Sequence, residues 1–191
     1  MNLVHGTSKV LMIGTYQFLI GKQLGDLLRS AQQKPEPAMT LEIRRAKPED
    51  ASIVADMIGR LLTELRSGDV VEPSSTVAAD LLGRPDDFAA YLAVGDGEVI
   101  GAMTLSTCYA LYAAGAFGEI AELYVSPEWR SRNAGKLLVE AAADHCRSRG
   151  WTILEVGAPP ANTWSRTVAF YKRNGFETVG PRLNLLLKAD A

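Results

Sequence analysis

From Leu41 onward, apolar residues fall into short blocks whose spacing switches between a period of two and a period of about 3.6. "LEIRRA" alternates like a strand. "KPEDASIVADMIGRLLTELRSG" opens with Pro48, Glu49 and Asp50, residues suited to a first helical turn, and ends at Gly68, suited to a C-cap. Between them Ile53, Val54, Met57, Ile58, Leu61, Leu62 and Leu65 recur at helical spacing. "SSTVAADLLG" reads as a shorter, serine-capped helix. "AAYLAV" and "VIGAMTLSTCYALY" flank a turn with Asp96-Gly97, the pair that a tight hairpin favours. "GAFGEIAELYV" is a third strand of this group, and "AGKLLVEAAADHCRSRG" is a helix with Gly150 just past its end. "TILEVGA" predicts a strand, "SRTVAFYKRNG" a helix, and "FETVG" with "LNLLLK" a closing pair of strands. The predicted order is β-α-α-β-β-β-α-β-α-β-β.

Residues 1–38 follow another pattern. "VLMIGTYQFLI" is apolar but too short to span a bilayer, and no A-x-A cleavage site follows it. "FLIGKQLGDLL" has the spacing of a short amphipathic helix, and "QQKPEPAMT" reads as a linker because Pro35 and Pro37 discourage regular structure. The expectation is an N-terminal extension and linker over residues 1–38, followed by a single domain over residues 39–191.

Composition narrows the function classes. The chain has 191 residues, 47% hydrophobic and 22% charged, with a net charge of −2, values ordinary for a soluble domain and without the basic excess of a nucleic-acid binder. Cys108 and Cys146 show no metal-ligand spacing, and His5 and His145 are too few for a histidine cluster, so neither metal nor disulfide is expected. Free thiols fit a reducing, cytoplasmic setting. Charge is segregated, however: Arg60 to Glu128 carries three basic and eleven acidic residues, net −8, whereas Trp129 to Lys188 carries ten and four, net +6. One part could attract a cation and the other an anion, although two solvated surfaces would show the same asymmetry.

Two glycine-rich segments can be set aside. "GDGEVIG" lacks the third glycine of a dinucleotide fingerprint and leads into a strand, and Gly135-Lys136 lacks the remainder of a phosphate-binding P-loop. "PEWRSRNAGKLL", Pro127 to Leu138, is more informative. A strand ends at Val125, a helix begins near Gly135, and small residues with Arg130, Arg132 and Lys136 surround the unpaired N–H groups of that helix start. A pyrophosphate suits this place. A plain helix start with solvated arginines would carry the same residues.

Arg130-x-x-Asn133-x-Gly135 resembles the R/Q-x-x-G-x-G/A acetyl-CoA signature of the GCN5-related N-acetyltransferases, the GNAT family. "AFYKRNGF", Ala169 to Phe176, resembles that family's "FYxxxGF" segment, and the element order matches over about residues 39–189. Asn133 departs from the usual Gly but tolerates a left-handed backbone. Trp164 stands where many members carry Asn. The resemblance implies an α/β fold: a mixed, mostly antiparallel sheet flanked by helices. It implies that strands ending at Val125 and starting near Thr152 splay apart to admit the pantetheine arm of acetyl-CoA. Leu123 and Val125 would bond to that arm, and Arg130, Arg132, Asn133, Ala134, Gly135 and Lys136 would surround the pyrophosphate.

Acyl transfer to an amine needs an acceptor for the amine proton and a donor to the departing thiolate. By the resemblance, Tyr171 is the expected acid, and Glu119 falls where histone-acetylating relatives place their base, with Glu122 the second candidate. Regular strand alternation predicts that these two glutamates face opposite sides of the sheet. Exposed strand carboxylates and a core tyrosine would fit the same pattern, and water alone could take the proton. The expected reaction moves the acetyl group of acetyl-CoA to a primary amine of a cationic small molecule, with no nucleic-acid or membrane partner. A protein or peptide amine, or a non-catalytic acyl-CoA-binding module, is the alternative. Homodimers are common in the family, and a homodimer is expected here.

Overall fold

The computed structural model describes residues 39–157, 159 and 162–180. Strand β1 (Leu41–Arg45) leads through a short turn into helices α1 (Ala51–Leu65) and α2 (Ser75–Leu82). Strands β2 (Phe88–Gly95), β3 (Glu98–Ala110) and β4 (Gly115–Val125) follow, then α3 (Ala134–Ser148), β5 (Leu154–Val156) and α4 (Ser165–Arg173). The sheet runs β1-β2-β3-β4-β5; its first four strands are antiparallel, and β5 lies parallel to β4. The mixed α/β fold expected from the sequence is present.

Local chemistry explains most boundaries. Gly68, at φ 104°, ends α1 with its N–H on the Thr63 carbonyl, and the Ser74 hydroxyl accepts the Val77 N–H at the start of α2. Asp96 and Gly97 take positive φ in the β2–β3 turn. Asp50 has two partners at the start of α1: both carboxylate oxygens meet Arg44, at 2.7 and 2.8 Å, and one also accepts the Lys47 N–H. The Arg44 hydrogen bond is the main reason that the Asp50 pKa falls to about 2.

Alternating side chains divide the sheet into two packed faces. Ala90, Leu92, Ala102 and Tyr124 pack with Val54, Met57 and Ile58 of α1 and Leu82 of α2. Ala89, Ala93, Met103, Leu105 and Ile120 pack with Leu138, Val139, Ala142 and Cys146 of α3. Burying each large side chain in these layers contributes roughly 1.5–3 kcal/mol. Helix α3 comes close to β4: a Cβ on Gly118 would lie 2.5 Å from the Cys146 sulfur.

One element differs from expectation. Phe176–Gly180 follows α4 without forming a strand. Phe176 is held by its ring contact with Tyr171 and by its N–H on the Tyr171 carbonyl. The predicted "LNLLLK" strand and the whole 1–38 segment lie outside the described residues.

Candidate functional site

Strand β4 changes character halfway along. Gly118, Glu119 and Ile120 pair with Leu154, Glu155 and Val156, and the described β4–β5 pairing ends there. On the other side, β3 follows β4 to Val125, but Leu105 faces Ile120 while Thr104 faces Glu122. Ala121 is therefore the extra residue of a β-bulge, which bends its strand. Beyond it, the Ser126 N–H bonds to Ile100 on the β3 side, so by alternation the main-chain groups of Leu123 and Val125 face the side where β5 has ended. An amide-rich chain entering there would meet strand-like partners.

The bulge also corrects the expectation about Glu119 and Glu122. Their partners Ser106 and Thr104 are two apart on β3 and share a face. Both glutamates consequently lie on the α1/α2 face, half-buried, with Tyr124. Thr104, which is 3% exposed, donates its hydroxyl to Glu122 Oε2 and accepts the Glu122 N–H. Glu119 accepts from the Cys108 thiol. Sequence reading missed Thr104, because only the strand register pairs it with Glu122. It also missed Glu155, which lies beside Glu119 and accepts the Tyr112 hydroxyl at 2.9 Å.

At the end of β4 the chain turns through Pro127–Trp129 and Arg130 into α3. Ser131 and Asn133 are both left-handed, at φ 63° and 68°. Asn133 thus adopts the backbone anticipated for it, and its side chain does not cap the helix. The N–H groups from Arg132 to Lys136 find no acceptor among the described residues, leaving a concave set of donors at the positive end of a helix. A Cβ on Gly135 would meet the Phe170 ring at 3.2 Å, so the absent side chain admits α4.

The three cations near this turn are not equivalent. Arg132 stacks over Trp129 and touches the Met39 sulfur, and Lys136 pairs with Glu140 along the exposed helix face. Arg130 is anchored. Its Nε donates to the Val125 carbonyl at 2.9 Å, its two terminal nitrogens grip Glu64 at 3.0 and 2.6 Å, and its guanidinium lies over Tyr124. Sequence offered no sign of Glu64, which lies 66 positions away.

Tyr171 lies on the α3/α4 face between Phe170 and Phe176. Burial pushes its phenol up to about 12, so it carries its proton throughout the neutral range. His145 is a packing residue, paired with the Tyr91 hydroxyl and set against Trp151; burial, with Arg45 and Arg149 nearby, pushes its pKa down. Tyr109, Leu111 and Tyr112 stand exposed at the tip of the β3–β4 ribbon. Among the described residues no group of three His, Cys, Asp or Glu is placed to hold a metal ion. No helix among them is long and apolar enough to cross a membrane.

Known proteins resemble this chain in sequence and in fold. The acetyltransferase (GNAT) family profile matches residues 55–176. An aminoalkylphosphonate N-acetyltransferase of Salmonella typhimurium is 34% identical over 138 residues, 71% of this chain and 84% of that protein. An IAA acetyltransferase of Azospirillum brasilense is 29% identical over 136 residues, 68% and 83% of the two chains. In fold, the chain is similar to an aminoglycoside acetyltransferase from an uncultured soil metagenomic sample, solved with sisomicin, with a TM-score of 0.65, 18% identity, and coverage of 78% and 97%. The chain belongs to the GNAT family and is an N-acetyltransferase.

Proposed function

We propose that this enzyme uses acetyl-CoA to acetylate a primary amine on a cationic small molecule, and that residues 39–191 form the catalytic domain. The observation that carries the proposal is a pair of backbone surfaces without partners among the described residues: the outer groups of Leu123 with the Val125 N–H, and the N–H groups from Arg132 to Lys136. The first suits the amides of a pantetheine arm and the second a pyrophosphate. The Val125 carbonyl is engaged by Arg130, so Leu123 and the Val125 N–H offer the freer contacts. Acetyl-CoA supplies an acyl group activated as a thioester.

Glu122 accepts the amine proton in this reading, because it lies past the last described β4–β5 pair and Thr104 orients its carboxylate. Glu119, on the same face, supplies a second negative charge beside Glu155, and together they favour a cationic acceptor. Tyr171 approaches from the opposite face and donates its proton to the departing sulfur; burial keeps that proton in place. The names of the relatives, which cover aminoalkylphosphonates and aminoglycosides, support a small-molecule amine.

Acetyl-CoA-dependent thiol release across polyamines, aminoglycosides, aminoalkylphosphonates, amino acids and short peptides tests the reading, with the no-acceptor rate subtracted for Cys108 and Cys146. The expected result is turnover highest with a cationic small amine. Turnover with peptides alone would replace the acceptor class. Acetyl-CoA binding without turnover on any acceptor would leave a binding module.

A further inference from the structure

We infer that Glu64 is a positioning residue for the acyl donor, acting through Arg130. The inference rests on the acetyl-CoA reading above and adds a residue from a separate helix. Arg130 begins the turn whose left-handed residues, Ser131 and Asn133, aim the N–H groups before α3. A flexible arginine could not fix that turn. Here its guanidinium is bound on three sides: the Val125 carbonyl takes Nε, the Glu64 carboxylate takes both terminal nitrogens, and the Tyr124 ring lies 5.8 Å from its carbon. The bidentate fork sets orientation as well as distance. The last residue of β4, the turn and the C-terminal end of α1 are thereby tied at one point.

The same contact caps the outward carbonyl of Val125. It closes the strand-like edge there, so that an incoming chain must leave β4 and pass to the amides of the turn. Glu64 is 36% exposed and Arg130 41%, so the pair adds little to folding stability. Its effect is instead on the geometry of a site that needs several donors aligned together.

The test compares wild-type protein with Glu64→Gln, Arg130→Ala and the double variant Glu64→Gln/Arg130→Ala. Calorimetric titration with acetyl-CoA gives the affinity, and thiol release with the best acceptor gives KM and kcat. Glu64→Gln should weaken acetyl-CoA binding about fivefold, the scale of one well-oriented ion pair, with kcat changed less than about twofold. The double variant should bind no worse than Arg130→Ala, because the two residues act as one device. Unchanged affinity in folded Glu64→Gln protein would overturn the inference, as would additive losses in the double variant. Wild-type protein that fails to bind acetyl-CoA would overturn the donor reading itself, and this inference with it.

Discussion

The α1/α2 face of the sheet holds the candidate carboxylates Glu119 and Glu122 half-buried and hydrogen-bonded, whereas the α3/α4 face holds Tyr171 in an apolar layer. The first environment offers partners that orient a charge. The second withholds water and so keeps a phenol neutral, raising its pKa to about 12. A base and an acid need these opposite conditions, and a sheet one residue thick can provide both.

The sharpest way to break the comparison is Tyr171→Phe, which keeps the ring between Phe170 and Phe176 and removes only the hydroxyl. Turnover should fall roughly 10²–10⁴-fold with the circular dichroism spectrum unchanged. Normal turnover would strip the α3/α4 face of its chemical role. In wild-type protein the raised pKa implies that no activity loss from this group begins below about pH 10, which a kcat–pH profile can check.

Glu122→Gln should come next, lowering kcat/KM about 10²-fold, with Glu119→Gln costing about tenfold through acceptor binding. The reverse order in steady-state kinetics would move the base to Glu119. Thr104→Val is a smaller perturbation of the same face. It leaves Glu122 in place but removes the hydroxyl that orients it, and kcat should fall about fivefold, the net scale of one ordinary hydrogen bond.

The smallest effect on catalysis is expected from Asp50→Asn, which stands at the start of α1. Stability measured by urea unfolding at pH 7 should fall by roughly 1–2 kcal/mol, a figure that allows for solvent screening at Arg44. The native pKa of about 2 lies below the ordinary 3.8, so the wild-type advantage is present above pH 3.8 and is lost as pH falls towards 2. A gap between the two proteins that persisted at pH 2 would show that packing, not the ion pair, set Asp50's contribution.

Much of this was legible in the chain. The hydrophobic period gave α1, α3 and the hairpin strands because each buries one face, and Gly68, Asp96-Gly97 and Asn133 marked turns because few residues accept positive φ. The Arg130 turn and Tyr171 were likewise conspicuous as short local motifs. What sequence could not supply was register. A single bulge at Ala121 puts Glu119 and Glu122 on one face, and no local feature predicts the strand pairing that creates it. The same holds for Thr104 with Glu122 and for Glu64 with Arg130, 18 and 66 positions apart. Local propensities therefore determined the elements and the candidate anion turn. The tertiary structure alone decided which side chains meet, because such contacts depend on how strands pair and helices dock.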